Sequence, residues 1–135
     1  MTALTRFFFD PVYAPRSAWS VIGWWEGRRS AFNLAIGGAG VLTLTVLNLF
    51  AALPPYGMWF GFPLVPLAVY ALLANVAFTA GPIADLLIRR AWGNRYAAVG
   101  PTLFRYGFVF SVGLTLLPIP LAAALWALRL VRLFG

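Results

Sequence analysis

The stretch AFNLAIGGAGVLTLTVLNLFAAL, residues 31–53, decides the fold class. It contains 23 residues and no charged side chain. A helix of about 20 apolar residues matches the hydrocarbon thickness of a bilayer. The Leu, Ile, Val and Phe residues of this stretch favour membrane insertion by roughly 3 to 7 kcal/mol. We therefore predict a transmembrane helix that stops at Pro54-Pro55, because proline lacks the N–H of a helical hydrogen bond and clashes with the preceding turn.

The composition of the 135-residue chain agrees with a membrane protein. Hydrophobic residues make up 62% of it and charged residues only 10%, whereas about a quarter of a soluble domain is charged. Two further apolar stretches, about 64–85 and 102–128, predict two more spans. We predict an all-α membrane protein in which residues 1–135 form a single membrane domain with three transmembrane helices.

Prolines complicate the second and third spans. Gly81-Pro82 predicts a kink or an interruption, after which the helix resumes as far as Trp92. Pro118 and Pro120 leave two interpretations, one kinked span or a hairpin. Two pieces of about 16 residues would each measure about 24 Å, which is shorter than a hydrocarbon core of about 30 Å. We therefore prefer a single span kinked near Pro118 and Pro120.

Residues 1–29 predict an interfacial segment rather than a signal peptide, because Asp10-Pro11 ends the first apolar run early. Ser17 is placed to cap a helix that continues to Arg29 and carries one apolar face. Indole and guanidinium groups suit the headgroup layer, so this helix is expected to lie on the membrane. Packing on a protein partner is the alternative. The predicted anchors are Trp19, Trp24, Trp25, Arg28 and Arg29.

The net charge of +7 comes from ten basic residues, all of them Arg. In a membrane chain such a charge is explained by orientation and lipid headgroups rather than by nucleic acid. With three spans, eight Arg residues share the side of the N-terminus, and only Arg129 and Arg132 lie on the other. The bias predicts a cytoplasmic N-terminus.

The residue types that carry most protein chemistry are missing from the sequence. It has no His and no Cys, and its acidic residues are Asp10, Glu26 and Asp85, which lie far apart. Haem, iron–sulfur, zinc and copper sites depend on His or Cys ligands. Catalysis by a thiol or by a Ser-His-Asp triad also needs a Cys or a His. We therefore expect no enzyme activity, no metal site and no cofactor held by His or Cys. The sequence is compatible with contact to a bound lipid or pigment.

Small and polar residues repeat every four positions within the spans, which places them on stripes along each helix. Such stripes let helix backbones approach closely in lipid. They either close the chain's own three-helix bundle or face a partner protein. The candidates for interhelical or partner contacts are Ala35, Ala39, Asn75, Gly107 and Ser111.

Asp85 and Arg105 are ionisable residues at or near the membrane, where a charge is costly and often functional. One interpretation is an ion pair of Asp85 with Arg89, one helical turn away, or with Arg105. The other is a small oligomeric channel or proton-coupled carrier that uses Asp85. A carrier usually needs several polar groups that converge at the midplane. No other acidic residue lies within the spans, so we favour the ion pair.

Three motifs carry a resemblance: Arg6-Phe-Phe-Phe-Asp10-Pro11, Asn75-Val-Ala-Phe-Thr79-Ala-Gly81, and the segment FSVGLTLLP over residues 110–118. They resemble small, uncharacterised bacterial inner-membrane proteins. More narrowly, the chain is similar to an accessory subunit of a bacterial photosynthetic reaction-centre–antenna complex, without the His by which antenna polypeptides hold pigment. The resemblance implies a non-catalytic scaffold that contacts larger membrane proteins and lipids in the bacterial inner membrane.

Overall fold

The computed structural model describes residues 2–9, 17–55, 57–93 and 99–135. This part of the chain is helical and contains no strand. The helices are, in chain order, α1 (Ala3–Phe9), α2 (Ala18–Ala52), α3 (Leu64–Trp92), α4 (Val99–Leu116) and α5 (Pro118–Phe134). Helix α2 packs against α3, α4 and α5, and the short α1 lies against α4.

Helix α2 begins at the predicted cap but does not end where the sequence indicated. Ser17 Oγ accepts a hydrogen bond from the backbone N–H of Ser20 at 3.2 Å, which confirms the cap. The prediction of a separate helix that stops at Arg29 is wrong, because α2 continues to Ala52. No proline or helix-ending turn separates Arg29 from the first apolar stretch, so the two segments form one helix. Residues 10–16 lie outside the described part of the chain.

Helix α3 passes through Gly81-Pro82 without an interruption. Pro82 lies inside the helix and is buried. The helix ends at Gly93, which has a φ of 68°, a left-handed conformation that glycine adopts without strain. The second predicted span therefore extends one and a half to two turns beyond Asp85 as regular helix.

Helices α4 and α5 form one crossing rather than a hairpin. They are separated only by Leu117, whose own φ of −55° and ψ of −36° are helical. Trp126 Nε1 donates to the carbonyl oxygen of Pro54 at 3.1 Å, which places α5 beside the end of α2. A hairpin would return α5 towards the start of α2. Pro118 is the first residue of α5, where proline costs little.

Three helical segments are long and apolar enough to cross a membrane: Ala18–Ala52, Leu64–Trp92 and Val99–Phe134. The first contains 35 residues and is about 52 Å long at 1.5 Å per residue. That is more than a hydrocarbon core of about 30 Å needs. Apart from α1, the described helices thus correspond to the three predicted spans, with the first span extended at its N-terminal end.

In the connection between α2 and α3, the fully buried side chain of Asn48 bonds to several backbone groups. Its Oδ1 accepts hydrogen bonds from the backbone N–H groups of Phe60 and Gly61 at 3.0 and 3.1 Å. Its Nδ2 donates to the carbonyl oxygens of Gly61 and Leu44 at 2.9 and 3.0 Å. This amide therefore pairs backbone groups of an extended segment that has no ladder or helix of its own.

We predict that Asn48→Ala loosens this connection while the helices stay formed. Each buried backbone group left without a partner costs about 1–3 kcal/mol. Hydrogen–deuterium exchange in lipid nanodiscs should show faster exchange at the amides of Phe60 and Gly61. Asn75→Ala, which removes an amide between α2 and α3 instead, serves as the control and should leave these two amides protected. Equal exchange in all three proteins would contradict the role of Asn48.

Candidate functional site

The carboxylate of Asp85 lies at the junction of α2, α3 and α4 and has no exposed surface. Its Oδ1 accepts from Nε of Arg89 at 2.6 Å, one turn further along α3. Its Oδ2 accepts from the indole Nε1 of Trp25 on α2 at 3.0 Å. Two helices thus bond to the same carboxylate, and the ion pair expected from the spacing is present with Arg89.

The third helix reaches the same carboxylate through its first turn. A Cβ atom built on Gly100 would lie 2.7 Å from Oδ2 of Asp85, closer than real Cβ contacts. Only glycine allows α4 to start this close to the carboxylate. Arg105, the other basic residue considered as a partner, is an exposed residue further along α4.

The guanidinium of Arg89 is largely enclosed as well. Its side chain is 8% exposed, and its Nη2 is buried without a hydrogen bond to the described residues. Removing a charged pair from water is costly, and the attraction between the partners offsets the cost only while both remain. The pair therefore makes the junction intolerant of the loss of either charge.

An aromatic core surrounds the indole of Trp25, which is 3% exposed. Its ring meets the rings of Trp24, Phe78 and Phe104 edge to face, at centroid distances of 5.5, 5.6 and 5.9 Å. Phe32 extends the cluster with a centroid 4.9 Å from Phe78. Edge-to-face pairs at these distances stabilise beyond the burial of apolar area alone.

Gly81 makes room for that indole. A Cβ atom at Gly81 would lie 2.4 Å from a ring carbon of Trp25, so any larger residue would collide with the ring. The Gly81-Pro82 pair of α3 therefore marks the close approach of α2 and α3 rather than a break in the helix. From the sequence, Gly81-Pro82 was expected to kink or interrupt the helix, and only the packing shows the role of Gly81.

A polar seam between α2 and α3 lies beside this junction. Arg29 binds both carboxylate oxygens of Glu26, at 2.7 and 2.8 Å. It also donates to Oδ1 of Asn75 at 3.3 Å and to Oγ1 of Thr79 at 3.2 Å. The amides of Asn33 and Asn75 exchange hydrogen bonds at 2.8 and 3.2 Å. The seam satisfies these groups within the chain, which is how polar side chains are tolerated near lipid.

The predicted headgroup anchors take four different positions. Trp25 is wrong as an anchor, because it is a core residue bonded to Asp85. Arg29 belongs to the polar seam, and Trp24 packs under the guanidinium of Arg28, 3.8 Å from its ring centroid. Trp19 alone among the three tryptophans is strongly exposed, at 81%. A helical wheel of residues 18–29 could not separate these cases, because the partner of Trp25 lies sixty positions away.

The packing candidates also divide. Asn75 ties α3 to α2 within the chain, and Ala35 and Ala39 are half-buried against their own bundle. Gly107 and the half-buried Ser111 both line a cavity, and a Cβ at Gly107 would meet none of the described residues within 4 Å. The candidates are therefore not one surface, and among them Gly107 is fully available to another molecule.

Hydroxyl groups connect the three crossings near the middle of the bundle. Thr43 Oγ1 donates to the carbonyl oxygen of Thr115 at 2.7 Å. The hydroxyls of Tyr70 and Thr115 are 2.5 Å apart, and Thr115 also donates to the carbonyl of Ser111. No sequence motif predicts these contacts, because single Thr and Tyr residues in a span have many possible partners.

A cavity of about 450 Å³ opens between α3 and α4. Trp25 and Phe32 of α2 contribute to its wall, and Tyr70 and Ser111 are its hydroxyl-bearing lining residues. The rest of the wall is aromatic or aliphatic apart from glycine. Among the described residues, no three His, Cys, Asp or Glu side chains come together at any point.

Comparison with protein-family models, curated protein sequences and solved structures finds no match to this chain.

We predict that Asp85→Asn destabilises the folded protein by about 3 kcal/mol, because it leaves the guanidinium of Arg89 buried without a counter-charge. The double variant Asp85→Asn, Arg89→Gln should recover part of that loss. The free energy of unfolding, measured by steric trapping in bicelles, gives both values. The single variant Arg89→Gln is measured in the same way, and a double variant that loses as much stability as Asp85→Asn and Arg89→Gln together would show that the charges act independently.

We further predict that Gly81→Ala destabilises the protein by about 1–3 kcal/mol, the usual cost of overpacking, because the new methyl group collides with Trp25. Gly113→Ala is the matched control, since its added methyl group meets open space. The control should be neutral or stabilising by up to about 1 kcal/mol through helix propensity. Thermal unfolding in detergent compares the two. Equal melting temperatures would contradict the close approach at Gly81.

Proposed function

We propose that the chain is a non-catalytic accessory subunit that packs against larger integral membrane proteins of the bacterial inner membrane. The supporting observation is that small residues remain uncovered on the outside of the bundle. A Cβ at Gly37 or Gly38 of α2, or at Gly113 of α4, would meet none of the described residues within 4 Å. Small residues on a lipid-facing surface let a partner helix approach closely.

The rigidity of the bundle supports the same role. The charged junction at Asp85, the polar seam and the hydroxyl contacts bond the three crossings to one another. A subunit that contributes shape needs a surface that does not rearrange, because ordering a loose surface at binding costs affinity. The narrower assignment to a photosynthetic reaction-centre–antenna complex rests on the sequence resemblance.

The proposed placement in the membrane follows from charge. Residues 30–84 contain no charged side chain, and the Arg-rich ends of α2 and α3 lie together beside Asp85. We place that end in the cytoplasm under the positive-inside rule. The first three turns of α2 then pass through the headgroup layer, with the exposed Trp19 as an interfacial anchor. A kink at Pro118 and Pro120 completes the proposed arrangement.

The alternative of a proton-coupled carrier finds less support. Both oxygens of Asp85 accept hydrogen bonds, and a basic partner is fixed 2.6 Å away. A carrier's acid must exchange protons with an aqueous path, whereas this carboxylate has no exposed surface and borders an aromatic core. We therefore assign Asp85 a structural role and expect no catalysis and no His- or Cys-held cofactor.

The test is co-purification in mild detergent from the native membrane. We expect Gly37→Leu combined with Gly38→Leu to lower the recovered partner proteins by about tenfold or more, because bulk at a close helix contact costs about 1–3 kcal/mol. Insertion should persist, because leucine favours it. Mass spectrometry of the captured proteins gives the ratio to wild type.

Val41→Leu is the matched control, since it adds bulk at an already large, exposed position of the same helix. It should retain the partners. Enlarging Ala35 and Ala39 is a less specific test, because both are half-buried within the bundle. Wild-type levels of co-purified protein in the glycine double variant would refute packing through this face.

A further inference from the structure

The cavity between α3 and α4 has the shape of a groove that runs along both helices. On α3 its lining extends from Gly81 to Tyr70, and on α4 from Leu103 to Leu114. Each range covers eleven steps of helix, or about 16 Å at 1.5 Å per residue. The two helices run in opposite directions, so Gly81 and Leu103 mark one end of the groove and Tyr70 and Leu114 the other.

That length corresponds to one leaflet of a bilayer. Half of a hydrocarbon core of about 30 Å is about 15 Å. The Gly81 end lies close to the level where charge begins, because Thr79 binds Arg29 and Leu103 is followed two residues later by Arg105. The groove therefore starts near the headgroup layer on the Arg-rich side and ends near the middle of the membrane.

The walls fit a hydrocarbon chain. They consist mainly of aromatic and aliphatic side chains, with Trp25 and Phe32 forming part of the wall. The hydroxyl of Tyr70, at the deep end, is already bonded to Thr115. An empty apolar groove would forfeit the dispersion contacts that close packing provides. In a membrane, the molecules at hand to fill it are lipid chains that lie parallel to it.

The charge at the open end favours an anionic lipid. In the described parts of α2, α3 and α4 on this side there are five Arg residues and two acids. The acids are already committed, Glu26 to Arg29 and Asp85 to Arg89. The excess positive charge lies in the headgroup layer, where each Arg attracts anionic lipid.

We propose that the groove between α3 and α4 binds one acyl chain of an anionic phospholipid from the Arg-rich leaflet, with its phosphate held among the arginines at the Gly81 end. The isolated chain has this property whether or not it joins a larger complex. If the accessory-subunit proposal fails, the lipid-binding proposal still stands. If lipid binding fails, the accessory-subunit proposal still stands.

Lipid spin-label spectroscopy of the full chain in phosphatidylcholine vesicles tests the proposal. The vesicles carry a trace of phosphatidylglycerol or phosphatidylcholine with a nitroxide on the acyl chain. We expect phosphatidylglycerol to associate about fivefold more strongly, as measured by the motionally restricted fraction of the spectrum. Equal restricted fractions for the two lipids would overturn the proposal.

Two variants locate the site. Gly107→Leu places a side chain in the groove and should remove most of the preference for phosphatidylglycerol. Gly113→Leu adds the same side chain to α4 at an open position outside the lining and should keep the preference. Ala77→Leu fills the groove from α3 and replaces Gly107→Leu if that variant does not fold by circular dichroism.

A preference unchanged in the folded groove-filling variant would overturn the assignment of the site. The other possible occupant in these vesicles is a second copy of the chain. In that case, cross-linking would trap a wild-type dimer that Gly107→Leu dissociates, with no preference for phosphatidylglycerol in either protein. That result would also overturn the proposal.

Discussion

The carboxylate of Asp85 is the constraint on which the arrangement of the helices depends. A charge enclosed by three helices must be paired, and its partners must hold fixed positions because a buried charge without them is costly. Trp25 supplies one donor from α2, Arg89 supplies another from α3, and Gly100 lets the first turn of α4 approach. The aromatic core then packs around the indole that this bond orients.

Polar contacts at three levels along the bundle hold its helices together in the membrane, where burial of apolar area alone would not. Lipid tails are as apolar as leucine, so helix association depends on close packing and hydrogen bonds. Asp85 joins the helices at the Arg-rich end, and Asn48 holds the connection at the far end. Near the middle, Thr43 donates to the carbonyl oxygen of Thr115 and Tyr70 bonds to its hydroxyl. Much of the outer surface consists of leucine, valine, phenylalanine and exposed glycine. Such a surface is suited to lipid and to neighbouring helices.

Local and long-range features differ in how well the sequence predicts them. The three spans, the cap at Ser17 and the pair of Asp85 with Arg89 depend on composition or on residues within one turn of each other. The bond between Trp25 and Asp85 joins residues sixty positions apart, whereas the sequence assigned Trp25 to the membrane surface from the chemistry of its indole and the apolar face of its helix. The prediction that the first helix ends at Arg29 is wrong for a related reason. Where the residue pattern changes from amphipathic to uniformly apolar, the surroundings of the helix change, but the helix itself continues.

We propose that Asp85 holds the three helices together and does not carry protons across the membrane. Reconstitution into vesicles with an enclosed pH-sensitive dye tests it most directly, with a pH step applied across the membrane. We expect that proteoliposomes with the native chain equilibrate no faster than empty vesicles. Rapid equilibration by the native chain that disappears in a folded Asp85→Asn protein would contradict it.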